Sequence, residues 1–360
     1  MVFVLKIQKK LQVLARVFLA LFFGGLGGFV ANELLIPMPW MLGAMVANTA
    51  AVMFTIPVLP PASMRPYVMA IIGVMLGSSF TPSLLNEIYL WSLSLCLLAI
   101  YIIIACSLII PYYKYFGKFD TVSAYFAGMP GGFSELMLIG EEYGGDLKKI
   151  ALAHTGRIFV VVFLISLWFK IFDDVELVNR SEFGISIQGF PVNEILILIA
   201  CGAIGYFVAR KLRIPAPGLM GPMLVSALAH ITQLATLPPP RELVMLAQLF
   251  LGTIIGCRFL GATAMEIGKA LLLSLGATAI LLTLTAVFTI GLSEEAMKHY
   301  DKILLAFSPG GLPEMSLIAL ALESDVPFVA MHHMIRIILI VALAPFILRF
   351  FYCLFLNFAF

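Results

Sequence analysis

The sequence carries one pattern of ionisable residues twice. In the first copy, the tripeptide Pro-Gly-Gly at 130–132 is followed by Glu135, His154 and Arg157. In the second copy, the same tripeptide at 309–311 is followed by Glu314, His333 and Arg336. Carboxylates and imidazoles can exchange protons, and guanidinium groups bind anions through several N–H donors. The pattern therefore predicts a binding site for an anionic or zwitterionic solute, with proton exchange through Glu and His.

A structural interpretation of the same residues stays open. Glu135 could pair with Arg157, and Glu314 with Arg336, as ion pairs that hold the chain at each tripeptide, and the histidines could be hydrogen-bonded packing residues. An ionisable residue at the bilayer centre costs about 2.5–3.5 kcal/mol on insertion scales. Residues of this cost that occur in both copies indicate a role, whether in binding or in structure.

Each tripeptide also interrupts an apolar stretch, and a half-helix is expected to begin just after it. Proline and glycine cannot continue a helix without leaving backbone groups unpaired. We expect Ser134 to be the N-cap of the first half-helix, and Pro313 to occupy the first turn of the second. The predicted solute- or ion-binding residues are Gly131, Gly132, Ser134, Glu135, His154, Arg157, Gly310, Gly311, Glu314, His333 and Arg336.

The composition is that of a membrane protein. Hydrophobic residues make up 62% of the 360 residues and charged residues 12%, whereas soluble domains have about 45–50% and about 25%. The net charge of +2 and the absence of a long basic run argue against a nucleic-acid partner. The five cysteines and five histidines show no metal-ligand spacing. We therefore expect no metal, no cofactor and no enzymatic activity.

The chain is a doubled unit. The matches between the two copies fall at an offset of 179 residues, or 178 further upstream, where IPMPWMLGAM at 36–45 matches IPAPGLMGPM at 214–223. The halves 1–178 and 190–360 each contain six apolar segments, most of them near the ~20 residues of a membrane span. The predicted fold is an all-α polytopic membrane domain of two homologous repeats, each with about five spanning helices and one broken or re-entrant segment.

The distribution of lysine and arginine favours inverted repeats. If the fifth segment of each unit re-enters, fifteen of these residues lie on the side of the N-terminus and five on the other. Cytoplasmic loops carry the excess of positive charge, so both termini are predicted to be cytoplasmic. If all six segments span, the ratio falls to thirteen against seven, and the two repeats would be parallel.

At these motifs the sequence resembles the AbrB membrane-protein family, some members of which are labelled ammonia monooxygenases. The resemblance rests on IPMPWMLG, on PGGFSE with His154 and Arg157, and on the second copy of that set. The family is similar in repeat layout to cation/proton antiporters, bile-acid symporters and auxin carriers, which implies a carrier-like fold. Those relatives cross the membrane with their broken helix and use Asp or Asn beside it, so Glu, His and Arg here argue against sodium coupling.

Two functions stay open after this comparison. The first is a proton-linked secondary transporter of a small organic anion or zwitterion in a bacterial inner membrane. The second is a membrane regulator or sensor that affects gene expression indirectly, without net transport. The expected partners are the lipid bilayer, a small solute and protons, with no nucleic acid, and homo-oligomerisation stays open.

Overall fold

The computed structural model describes residues 2–86, 88–172, 185–291 and 300–356. Within these ranges it contains fourteen α-helices, short 3-10 turns and no strand. The predicted all-α class is confirmed. Seven of the described helices are long and apolar enough to cross a bilayer, which agrees with a polytopic membrane protein.

The helices of the first half are α1 (Val2–Glu33), α2 (Pro39–Met53), α3 (Arg65–Ser78), α4 (Ser92–Tyr115), α5 (Thr121–Gly128), α6 (Phe133–Glu142) and α7 (Leu147–Phe172). Those of the second half are α8 (Val192–Lys211), α9 (Pro217–Ile231), α10 (Arg241–Gly256), α11 (Ala264–Gly291), α12 (Tyr300–Phe307), α13 (Leu312–Ala321) and α14 (Val326–Leu356). The long apolar helices are α1, α4, α7, α8, α10, α11 and α14.

The repeated IPxP motif ends one helix and starts the next in both halves. The residue before its second proline, Met38 or Ala216, has a positive φ, of 48° and 46° respectively. The following proline opens α2 or α9 at a first-turn position, where its missing N–H costs nothing. Both helices have 15 residues, so they are about 22 Å long and shorter than the other spans.

Glycines bring the two halves into close contact. A Cβ added at Gly256 would lie 2.6 Å from the Met45 carbonyl oxygen, so only glycine allows α10 and α2 to pack this closely. Gly252 lies against Met41 on the same pair of helices. The corresponding pair, α3 of the first half and α9 of the second, packs with Gly73 against Leu219. The G-xxx-G motifs are thus helix-packing elements.

The two repeats run in opposite directions across the membrane. Helix α2 ends, and the chain to α3 begins, near the start of the apolar span Lys10–Glu33 of α1, where Leu59 N donates to Arg16 O at 3.2 Å. Helices α2 and α3 are therefore antiparallel. The paired contacts of Gly73 with Leu219 and of Gly77 with Met223 make α3 parallel to α9. Since α9 is the counterpart of α2 in sequence, the second repeat is inverted.

Each broken segment is a re-entrant hairpin. In the first, Asp146 N, just after α6, donates to Ser123 Oγ at the start of α5 at 2.7 Å. In the second, Lys302 at the start of α12 forms an ion pair with Asp325, just after α13, at 3.6 Å. Each hairpin therefore returns to the side from which it entered.

The hairpins enter from opposite sides of the membrane. The base of the first lies beside the start of α7, where Lys149 Nζ lies 4.0 Å from Oδ2 of Asp120, the N-cap of α5. The base of the second lies beside the end of α7, where Tyr300 stacks on Phe169 at 6.3 Å between centroids. Helix α7 has 26 residues, so its ends are about 39 Å apart.

Candidate functional site

The tips of the two hairpins meet at one cavity of about 350 Å³. Nine of the eleven predicted site residues line it, namely Gly131, Gly132, Ser134, Glu135, His154, Arg157, Gly310, Gly311 and Glu314. His333 and Arg336 are buried on α14 but do not line the cavity. The tertiary structure thus brings together residues that lie 179 positions apart in sequence, while the two copies contribute unequally.

Arg157 and His154 bind the carboxyl end of the first half-helix. The guanidinium donates to Ala127 O at 3.1 Å and to Met129 O at 2.8 Å. Its Nη2 also donates to His154 Nδ1 at 2.9 Å, and His154 Nε2 donates to Phe126 O at 2.9 Å. These carbonyls are the ones that the break leaves without helical partners, at the negative end of the α5 dipole.

The second copy repeats this arrangement. Arg336 donates to Ser308 O and Gly310 O, both at 2.6 Å, and to His333 Nδ1 at 2.6 Å. His333 Nε2 donates to Leu305 O at 3.0 Å. In both copies the imidazole accepts on one nitrogen and donates from the other, which is the bonding of a neutral ring.

The alternative interpretation as Glu–Arg ion pairs is wrong. Arg157 and Arg336 direct their Nη groups to backbone carbonyls, and neither is paired with Glu135 or Glu314 among the described ion pairs. The buried Nε atoms of both arginines have no hydrogen-bond partner. Direct contact of Arg157 with a solute stays a prediction, and the structural capping role is what the contacts show.

The first tip reaches across to the second repeat. Glu135 Oε1 accepts a hydrogen bond from Ala216 N at 3.2 Å, at the residue of positive φ that precedes α9. Gly131 and Gly132 have φ values of 142° and 64°, which only glycine adopts without strain. Left-handed non-glycine residues cluster at functional sites, and Ala216 lines the cavity.

The prediction that Ser134 caps its half-helix is wrong. Helix α6 begins at Phe133, with Gly132 in the cap position and no side-chain cap. Ser134 lies within the first turn, and its Oγ accepts from Arg65 Nη2 at 3.2 Å. The predicted first-turn position of Pro313 in α13 is confirmed. The two tips therefore start their second half-helices by different local structures.

Arg65 and Arg258 are cavity residues that the sequence analysis missed. Both are among the fifteen lysines and arginines placed on the side of the N-terminus by the charge count, whereas both line the cavity. Arg65 opens α3, and Arg258 lies in the 3-10 turn Cys257–Phe259 that follows α10. The Arg258 guanidinium stacks over the Phe133 ring, 4.5 Å from its centroid. The sequence does distinguish Arg258 in one respect. The matching position in the first repeat, Ser79, carries no charge, so this arginine occurs in one repeat only.

Glu314 is the most buried carboxylate at the site. Glu314 is only 3% exposed, and its Oε2 has no hydrogen-bond partner. The carboxylate folds back against Gly311, where a Cβ would collide with it. This places Glu314 at the amino-terminal end of α13, whose dipole stabilises negative charge.

Together these groups concentrate ionisable side chains in a cavity whose lining is otherwise mostly apolar. Three guanidinium groups, from Arg65, Arg157 and Arg258, and the carboxylates of Glu135 and Glu314 line it. Helices α6 and α13 both begin there, so their free N–H groups also lie at the cavity. Such a site can bind a small anion or a zwitterion.

The comparisons with known proteins agree on one family. The chain is 26% identical over 342 residues to an uncharacterized protein, YhjN, of Bacillus subtilis (strain 168), covering 89% of this chain and 88% of that protein. It is 27% identical over 331 residues to a candidate regulator, AbrB, of Escherichia coli (strain K12), covering 90% and 92%. The family model described as "Transition state regulatory protein AbrB" matches residues 40–352. The chain belongs to the AbrB family of proteins.

Proposed function

We propose that this protein is a secondary carrier of small organic anions or zwitterions, coupled to the movement of protons. The observation that supports this most strongly is the meeting of two re-entrant hairpins, from opposite sides, at one charged cavity. Non-helical backbone at membrane depth is tolerated where it is buried or lines a cavity. Inverted repeats with broken helices at their interface are the usual design of secondary transporters.

Within this proposal Glu314 is the proton-exchanging group. Its Oε2 is free of hydrogen bonds in a cavity lined by guanidinium groups. The histidines are less suited to the task, since both ring nitrogens of His154 and of His333 are engaged by arginine and a carbonyl. A proton taken up by Glu314 would change the cavity charge by one unit without disturbing the capped half-helices.

The proposed location is a bacterial inner membrane with both termini in the cytoplasm. The end of α7 lies beside the end of α1, where Lys170 Nζ donates to Leu34 O at 2.6 Å, and beside the second hairpin, after which α14 begins. Lys148 and Lys149, at the start of α7, are therefore on the side on which α1 begins and α14 ends. Positively charged residues accumulate on the cytoplasmic side of membrane proteins. In this view the protein binds and moves its solute and does not make or break covalent bonds.

A screen of ligand-dependent thermal stability tests the proposal. Detergent-purified protein would be screened against two acids (acetate and succinate), two amino acids (alanine and glutamate) and the simple amines of matching chain length. Each compound would be tested in one neutral and one mildly acidic buffer. A ligand at 100 times its Kd stabilises the folded state by roughly 2.7 kcal/mol, which is readily measured. Hits should disappear in Arg258→Gln and persist in Arg210→Gln, a matched change at the exposed end of α8.

Uptake of a labelled hit into proteoliposomes then separates transport from sensing. Accumulation driven by a pH gradient supports the carrier. Binding that depends on Arg258, with no flux in either direction, would instead favour a sensor or regulator. No stabilisation by any acid or zwitterion at either pH would contradict the proposed site.

A further inference from the structure

Arg258 and Glu314 face the same cavity without touching each other. Both residues line it. Neither belongs to any of the described ion pairs, which have nitrogen–oxygen distances of up to 4.0 Å. Arg258 Nη1 and Glu314 Oε2 are buried atoms without a hydrogen-bond partner. A buried donor or acceptor left unpaired costs about 1–3 kcal/mol, and more when it is charged.

The other charged groups around Glu314 already have partners. On α3, Arg65 donates to Ser134. On α6, Glu135 accepts from the backbone of Ala216. The remaining groups bind the carbonyls of the half-helices through ring or Nη nitrogens, and these are His154 and Arg157 on α7 and His333 and Arg336 on α14. Arg157 keeps one unpaired donor, its Nε, but both of its Nη groups are held by carbonyls. Arg258 and Glu314 are thus the opposite charges in the cavity whose terminal atoms retain free hydrogen-bonding capacity.

We propose that the ligand is a zwitterion that bridges this pair, an amino-acid-like molecule with one carboxylate and one ammonium group. The ligand carboxylate accepts hydrogen bonds from Arg258, and the ligand ammonium donates to Glu314 Oε2. A simple carboxylate would satisfy Arg258 but leave the Glu314 oxygen unpaired. This inference rests on the proposed function and narrows its substrate class from anions or zwitterions to zwitterions.

The same geometry determines how protons are coupled. A proton and a ligand ammonium compete for one carboxylate, because Glu314 Oε2 can hold only one of them. Ammonium binding therefore requires Glu314 to release its proton to water, and reprotonation of the carboxylate expels the ammonium. The outcome is exchange of a zwitterion for a proton, with one proton moved per ligand in the opposite direction.

A three-ligand comparison tests the inference. Binding of β-alanine, propionate and propylamine to the purified protein would be measured by calorimetry in a neutral and a mildly acidic buffer. These molecules share a three-carbon chain and differ in their charges. We expect β-alanine to bind at least about tenfold more tightly than propionate at neutral pH, equivalent to 1.4 kcal/mol, and to lose this advantage on acidification.

Variants assign the two ends of the ligand. Glu314→Gln should abolish the preference for β-alanine over propionate, whereas Arg258→Gln should weaken binding of both. Glu314→Asp, which keeps the charge, should retain the preference at lower affinity and provides the comparison if Glu314→Gln does not fold. The matched control is Glu323→Gln, since Glu323 is an exposed residue after α13 and outside the cavity.

The results separate this inference from the function on which it rests. Equal binding of propionate and β-alanine, unchanged in Glu314→Gln, would overturn the zwitterion assignment and leave an anion carrier. An affinity for β-alanine that rises on acidification would overturn the competition at Glu314. Absence of binding by β-alanine, propionate and the acids of the broader screen would contradict the proposed function itself.

Discussion

Lys302 pairs with Asp325 across the base of the second hairpin, at 3.6 Å between Nζ and Oδ2. The two residues flank the whole broken segment, so their contact shows that the chain turns back at the Pro-Gly-Gly tip. Ser123 and Asp146 make the equivalent contact in the first hairpin. In both repeats, the tip is therefore the deepest point of a loop that opens to one side only.

Opposite entry of the hairpins predicts opposite accessibility of their bases. The native cysteines would be replaced by serine, and the single-cysteine variants Lys302→Cys and Lys149→Cys would be treated with a charged, membrane-impermeant thiol reagent. We expect Lys302→Cys to react in intact cells and Lys149→Cys to react only after permeabilisation. Both residues are partly exposed. Reaction of both from the same side would contradict the inverted arrangement.

The arginines that cap the half-helices are predicted to be structural. Arg157→Met removes two hydrogen bonds to carbonyls and one to His154, and we expect it to lower the free energy of unfolding by about 3 kcal/mol. Arg336→Met should have a similar effect. The midpoint of thermal unfolding in detergent measures both.

Two controls distinguish carbonyl capping from a Glu–Arg ion pair. Arg210→Met, at an exposed position, should change stability by no more than about 0.5 kcal/mol. Glu135→Gln should also cost little, because Glu135 accepts from a backbone amide and not from Arg157. A loss in Glu135→Gln as large as that in Arg157→Met would restore the ion-pair interpretation.

The contact between α10 and α2 predicts that Gly256 tolerates no side chain. In Gly256→Ala the new Cβ would lie 2.6 Å from the Met45 carbonyl oxygen, so the two helices must separate. We expect a loss of about 1–3 kcal/mol from overpacking, read as a lower unfolding midpoint. The control is Gly268→Ala in α11, where nothing lies within 4 Å; there alanine should be neutral or stabilising by about 1 kcal/mol.

The backbone at Ala216 predicts a gain from glycine. Ala216 has a φ of 46°, in the left-handed region that costs an L-residue about 1–2 kcal/mol. Ala216→Gly should therefore raise the unfolding midpoint by relieving strain. Ala229→Gly, inside α9 of the same chain, should lower it, because glycine destabilises a helix interior by about 0.5–1 kcal/mol. Destabilisation by Ala216→Gly would show that this backbone is not strained.

Much of the fold could be predicted because it depends on local chemistry. The apolar composition indicates a chain that lies in a lipid bilayer. Proline and glycine at 130–132 and 309–311 interrupt the helix there. A near-constant sequence offset reveals the duplication. Lysine and arginine counts favoured inverted repeats with a re-entrant segment, and the hairpin contacts agree. Most of the predicted site residues also reach the cavity. The glycines and glutamates lie at the break or in the first turn after it, and α7 runs back past the tip and brings His154 and Arg157 to it.

The partners of those residues were decided by the tertiary structure. Arg157 and Arg336 bind carbonyls 26–30 residues earlier in the chain, a choice that depends on how each half-helix packs against the following helix. Arg65 and Arg258 lie near helix ends in sequence, yet helix crossing brings both to the hairpin tips. Sequence spacing determines which residues share a helix face, whereas packing between distant helices determines which charges meet in a cavity.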